Sequence, residues 1–172
     1  MKKLILIFML ILVCGASAFA NDISFFRTDG TLLPAVKEDD FMILWNQGDK
    51  KYNLTNQYYW YPLIEKPIKE PIISYCTTEL INSKYKKILE QKIQKLNILL
   101  YEKLEYEVDG SRYYVMESKE FDLDRYSEDY FFTGDLSGLI YFSHENTISF
   151  AGETFINMIN DLNIPLPRLE NI

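Results

Sequence analysis

Ten consecutive apolar residues, Leu4 to Val13, follow a positive Lys2-Lys3 pair and precede Ala18-Phe19-Ala20. A bilayer-spanning helix needs about 20 apolar residues, so this run is too short to span. A charged start, a short apolar stretch and a small-x-small ending together form the pattern of a cleaved export signal. Residues 1–20 are therefore expected to be removed, leaving a mature chain that begins at Asn21. This feature constrains the fold because cleavage takes Cys14 with it and leaves Cys76 as the single cysteine. An intramolecular disulfide is then impossible, although an exported protein would be permitted one. The domain must be held by its core. Cys76, which follows the apolar Pro71-Ile72-Ile73-Ser74-Tyr75, is expected to be a buried small hydrophobe. Lipid attachment at Cys14 would need a small residue before it, and the bulky Val13 argues against that.

The remaining 21–172 segment has the length of one globular domain, and no low-complexity tract, repeat or long linker divides it. With 13 Tyr and 11 Phe in the chain, enough apolar surface exists to build a core. The net charge of the whole sequence is −7, and loss of Lys2 and Lys3 makes the mature chain about −9. An acidic balance disfavours nucleic acid and anionic membrane surfaces, both of which select a basic footprint. It favours a basic protein partner, since complementary charge speeds encounter and suppresses wrong pairings. Solubility alone is the plainer explanation of the same acidity. No segment after residue 20 is apolar enough to serve as a membrane anchor.

Patterning predicts an α+β fold: a mostly antiparallel sheet of about six strands, one long central helix and a short C-terminal helix. Ile23 to Arg27 alternates as a first strand before the turn-like Thr28-Asp29-Gly30-Thr31. Phe41-Met42-Ile43-Leu44-Trp45 is expected as a buried second strand, and Lys50 to Tyr61 as another extended segment. Pro62, Pro67 and Pro71 then exclude helix interior. The apolar stripe Ile81, Tyr85, Ile88, Leu89, Ile93 and Leu96 predicts a helix over 78–96, with five lysines largely off the stripe. Alternation in Leu104, Tyr106 and Val108, the Asp109-Gly110 pair and Arg112 to Met116 predict a hairpin. Tyr130 to Phe132 and Leu139 to Phe142 complete the strands. A last helix carries Phe155, Ile156, Ile159 and Leu162 and stops before Pro165 and Pro167.

Catalytic patterns are sparse. His144 is the sole histidine, and neither Gly-x-Ser-x-Gly, His-Glu-x-x-His nor a phosphate-binding glycine loop occurs. No cofactor, metal or catalytic group is therefore assigned, and the Ser143-His144-Glu145-Asn146 segment is expected to be a turn. Asp122-Leu123-Asp124-Arg125-Tyr126-Ser127-Glu128-Asp129 begins like a calcium loop. It fails at Ser127, where a glycine is required, and at Thr133, where a bidentate Glu is required. Two carboxylates beside the aromatic run Tyr58-Tyr59-Trp60-Tyr61 would suffice for glycan hydrolysis, though any acidic, Tyr-rich sheet protein offers the same ingredients.

The region from Ile72 to Tyr126 resembles the immunity proteins of bacterial toxin systems. It runs from an extended Pro-Ile-Ile-Ser through the Tyr85-Lys86-Lys87-Ile88-Leu89 helix to Gly110-Ser111-Arg112-Tyr113-Tyr114-Val115 and the Asp122 segment. Gly134-Asp135-Leu136-Ser137-Gly138 through His144-Glu145, with Ser149-Phe150 and the last helix, is similar to SUKH-type immunity domains. The export signal departs from the commonest pattern of those families, many of whose members are cytosolic. The resemblance implies a non-enzymatic protein that occludes a toxin or wall-active enzyme, here in the periplasm or outside the cell. An envelope accessory protein and a wall-glycan hydrolase are the alternatives. Tyr58, Trp60, Asp122, Asp124, Glu128 and Asp129 are the candidate partner contacts, aromatic anchors and steering carboxylates for a basic target.

Overall fold

The computed structural model describes residues 38–55, 68–106, 110–124 and 128–169. The expected export signal, the expected first strand at Ile23 to Arg27 and the aromatic run at Tyr58 to Tyr61 lie outside them. The first described element is a helix, α1 (Glu38–Tyr52), where a strand was expected. The correction has a simple cause. Phe41, Trp45, Gly48 and Tyr52 are buried at spacings of four, three and four, a helical stripe, while Ile43 between them is 56% exposed. Five adjacent apolar residues look like a strand only when the next two turns are ignored. Lys50 and Lys51 fall in the last helical turn, where cations complement the helix dipole, and Asn53 closes the helix with a φ of 52°. The extended segment expected from Lys50 is accordingly helix as far as Tyr52; beyond Thr55 it leaves the described residues.

Ile72–Cys76 forms β1, followed by α2 (Thr77–Ile81) and α3 (Tyr85–Gln94). The helix expected over 78–96 is thus present in two pieces. Ser83 divides it: its Oγ donates to the Leu80 carbonyl at 2.7 Å and accepts from the Tyr85 amide at 3.1 Å. A serine that bonds the nearby backbone in this way ends one helix and starts the next. Then come β2 (Leu99–Tyr106), β3 (Gly110–Glu117), a 3-10 turn at Ser118–Glu120, β4 (Glu128–Thr133), β5 (Leu139–Ser143), β6 (Thr147–Ala151) and α4 (Gly152–Leu162). The β2–β3 pairing runs to Tyr106 opposite Gly110, which places the expected hairpin where Asp109-Gly110 signalled it.

All six strands pair antiparallel in the order β1-β6-β5-β4-β2-β3. The fold is α+β. Helices cover both faces of this sheet, so its central strands are apolar on both sides. One face buries Leu100, Phe131, Ile140, Phe142 and Phe150 under Leu80 of α2, Leu89 and Ile93 of α3, and Phe155 and Ile159 of α4. The other buries Val115, Phe132, Leu139, Tyr141 and Ala151 under Phe41, Trp45 and Tyr52 of α1. The switch from Phe131 to Phe132, and from Ile140 to Tyr141, follows the alternation of side chains along a strand.

Several polar groups inside the layers are matched locally. Ser74 and Ser149 face each other across β1 and β6 with their hydroxyls 2.6 Å apart. Ser118 joins three elements: its hydroxyl donates to the Gln94 carbonyl and accepts from the Ile98 amide, while its own amide donates to the Ile98 carbonyl. The edge strand β1 is covered by the C-terminal segment, where the Leu169 amide donates to the Ser74 carbonyl at 2.8 Å. That pairing hides an edge otherwise open to another chain. Cys76, expected to be buried, is half-buried at the end of β1 and lies 3.2 Å from the Asn146 amide nitrogen.

Candidate functional site

The acidic run from Asp122 does not form a single patch. Asp122 and Asp124 lie in the loop against α3, where Asp122 Oδ1 accepts from the Asp124 amide and Asp124 Oδ2 accepts from Lys86 Nζ at 2.6 Å. Glu90 extends the same tie by accepting from the Leu123 amide at 3.0 Å. The Lys86 ammonium is held above the usual lysine range, first by its hydrogen bond to Asp124. Glu128 and Asp129 are neighbours in β4 and so point to opposite faces. Glu128 accepts from the Tyr141 hydroxyl and from the backbone amide of His144, and His144 Nδ1 contacts it as well. Burial, first of all, and the nearby Tyr130 and Glu128 push the Tyr141 phenol well above the ordinary tyrosine range. It remains a protonated donor. Asp129 is 1% exposed and belongs to the core of the opposite face. Tyr58 and Trp60 lie outside the described residues.

His144 occupies the β5–β6 turn, as expected, with Glu128 fixing its ring. Among the described residues no group of three or more His, Cys, Asp and Glu side chains is placed to hold a metal ion.

A cleft that sequence reasoning missed lies where β2 begins and β4 ends, where Leu100 pairs with Thr133. Its volume is about 520 Å³, within the usual range for binding sites. Leu96, Leu99 and Tyr101 line it from the α3–β2 connection and β2, and Asp135, Ser137 and Thr154 line it from the β4–β5 loop and α4. Leu99 is 44% exposed, an unusual setting for a strand leucine. Asp135 Oδ1 accepts from Thr133 Oγ1 at 2.7 Å and from the Ser137 amide at 2.9 Å. Those bonds, the Ser137 amide foremost, hold its carboxyl down at about 2, so it is ionised at any physiological pH.

The loop presenting Asp135 is fixed from both sides. Leu136 adopts a φ of 57°, a costly conformation for a bulky side chain. The end of α1 compensates, because Lys51 Nζ and the Tyr52 hydroxyl both donate to the Leu136 carbonyl, at 2.9 and 2.8 Å. From the other side the Thr154 amide donates to the Ser137 carbonyl, and the two hydroxyls of Ser137 and Thr154 lie 2.6 Å apart. Backbone strain held by surrounding structure is characteristic of functional loops. Gly134-Asp135-Leu136-Ser137-Gly138 was legible as a turn, but nothing local announces that Leu96 to Tyr101 folds against it.

No family model, curated protein or solved structure matches this chain.

Proposed function

We propose that this protein is an exported, non-enzymatic binding protein of the immunity or inhibitor type. On this reading it acts in the periplasm or outside the cell and occludes a basic toxin or wall-active enzyme. The observation that carries the reading is the cleft: an ionised Asp135 on a braced loop and the exposed Leu99 line it together on an acidic chain. An apolar anchor point beside a fixed charge is the arrangement by which inhibitory surfaces gain affinity and orientation together. The export signal at residues 1–20 and the resemblance of the Gly134–Glu145 segment to SUKH-type immunity domains support the same reading. Occlusion requires a stable complementary surface and no reacting group.

The test is co-expression of the neighbouring gene's product in the periplasm, with and without this protein. Rescue from toxicity together with a stable complex is the expected result. A harmless neighbour, or toxicity that this protein leaves unchanged, would transfer the reading to an envelope accessory role.

A further inference from the structure

We propose that the cleft between β2 and the β4–β5 loop seats one arginine side chain presented by the basic protein partner. Its guanidinium would lie on Asp135 and its aliphatic stem along Leu96 and Leu99. The inference rests on the binding-protein reading and specifies what that partner must carry. Among the described residues Asp135 is the one charged residue lining the cleft, so the site selects for positive charge. The hydrogen bonds from the Thr133 hydroxyl and the Ser137 amide both fall on Oδ1 and fix the carboxylate at the cleft. The neighbouring hydroxyls of Ser137 and Thr154 are already engaged with each other, so the carboxylate is the feature a ligand must match.

The apolar part of the lining decides between the two cationic side chains. Leu96 and Leu99 are aliphatic and Tyr101 contributes a ring. A guanidinium is planar, weakly hydrated and stacks on aromatic faces, whereas an ammonium is compact and strongly hydrated. A cleft lined by aliphatic and aromatic groups together with a carboxylate therefore suits arginine. Leu99, already exposed, loses water when the stem covers it, which adds an apolar contribution to the charge contact. The charge of the whole chain, −7, draws a basic surface toward it before the anchor engages.

The probe is N-acetyl-Leu-Arg-Leu-amide, titrated into the ¹⁵N-labelled protein by NMR, beside the same peptide with citrulline or lysine in place of arginine. The arginine peptide is expected to shift the amides of residues 99–101 and 134–137 and to bind about tenfold more tightly than the citrulline peptide, the usual order for a charge-assisted contact. Asp135→Asn is expected to weaken it about fivefold or more, and Leu99→Ser to weaken it while leaving the rest of the spectrum in place. Because Asp135 also braces its loop, the surface variant Leu99→Ser keeps the test valid if the other perturbs the loop. Equal binding of the citrulline peptide, or shifts confined to another surface, would overturn the assignment, and a lysine peptide of equal affinity would overturn the choice of guanidinium. The two readings fail separately. A neighbouring toxin neutralised equally well by wild type, Asp135→Asn and Leu99→Ser removes the cleft from the interface and leaves the immunity function standing. A harmless neighbour removes that function while the peptide titration still reads the cleft.

Discussion

Gly152 shows how one position can hold the candidate site together. Its φ is +77°, and a Cβ placed there would lie 2.4 Å from the Ser137 carbonyl oxygen and 2.6 Å from the Tyr52 hydroxyl. Neither neighbour can retreat. The Ser137 carbonyl accepts the amide of Thr154, and the Tyr52 hydroxyl donates to Leu136. Gly152→Ala is therefore expected to destabilise the fold by about 3 kcal/mol or more, combining a left-handed backbone with a direct clash. Gly134, in the same loop, is a useful contrast. A Cβ there meets the Tyr101 ring at 3.2 Å in ordinary backbone geometry, so Gly134→Ala should cost about 1 kcal/mol or less. Urea unfolding monitored by tyrosine and tryptophan fluorescence separates the two outcomes. Similar midpoints for both variants would mean that the α4 start is not locked against the cleft loop.

At the scale of elements, α1 offers the sharpest test because its sequence fits two structures locally. In a strand, Phe41, Ile43 and Trp45 would share one face and be buried together. In the helix Ile43 turns away, while Trp45 packs edge-on against Tyr130 and Phe132 and lies under the ammonium of Lys103 at 4.1 Å. Trp45→Ala should thus cost about 3–5 kcal/mol, and Ile43→Ser should stay within about 0.5 kcal/mol. Comparable losses at both positions, read from thermal unfolding, would favour the strand. The same contrast explains what was legible. The β2–β3 hairpin, β4, β5 and α4 were readable because their signals are local: an Asp-Gly turn, adjacent apolar residues bounded by glycines, and a three-and-four spacing ending at prolines. α1 was missed because its stripe emerges only over about three turns, and the break before α3 because one serine hydroxyl decides it. Pairings of β1 with β6 and of β2 with β4 were not legible. They join residues 23 or more positions apart in sequence, and the cleft is a product of the second pairing. Asp135 was therefore visible as a turn residue and invisible as a site, while Asp129 looked like a surface acid because sequence does not show which face of β4 is sealed.

At the scale of the molecule, charge and shape act at different stages of association. The net charge, −7 for the whole sequence and about −9 once Lys2 and Lys3 are lost, produces a field that extends about one Debye length, roughly 8 Å in physiological salt. Such a field accelerates approach and is readily screened. On the proposed reading the cleft would act after contact, where Asp135 and Leu99 would hold a seated side chain. Raising salt from about 0.05 to 0.5 M should consequently slow association with the basic partner by about tenfold or more while changing dissociation little. Asp135→Asn should show the reverse pattern, a faster dissociation with association nearly unchanged. Asp124 supplies the control: it is exposed and already paired with Lys86, so Asp124→Asn should affect neither rate more than about twofold. Surface plasmon resonance across a salt series measures all three. Should salt speed dissociation as strongly as it slows association, diffuse charge and not a seated side chain would hold the complex together, and the cleft would lose its role as anchor.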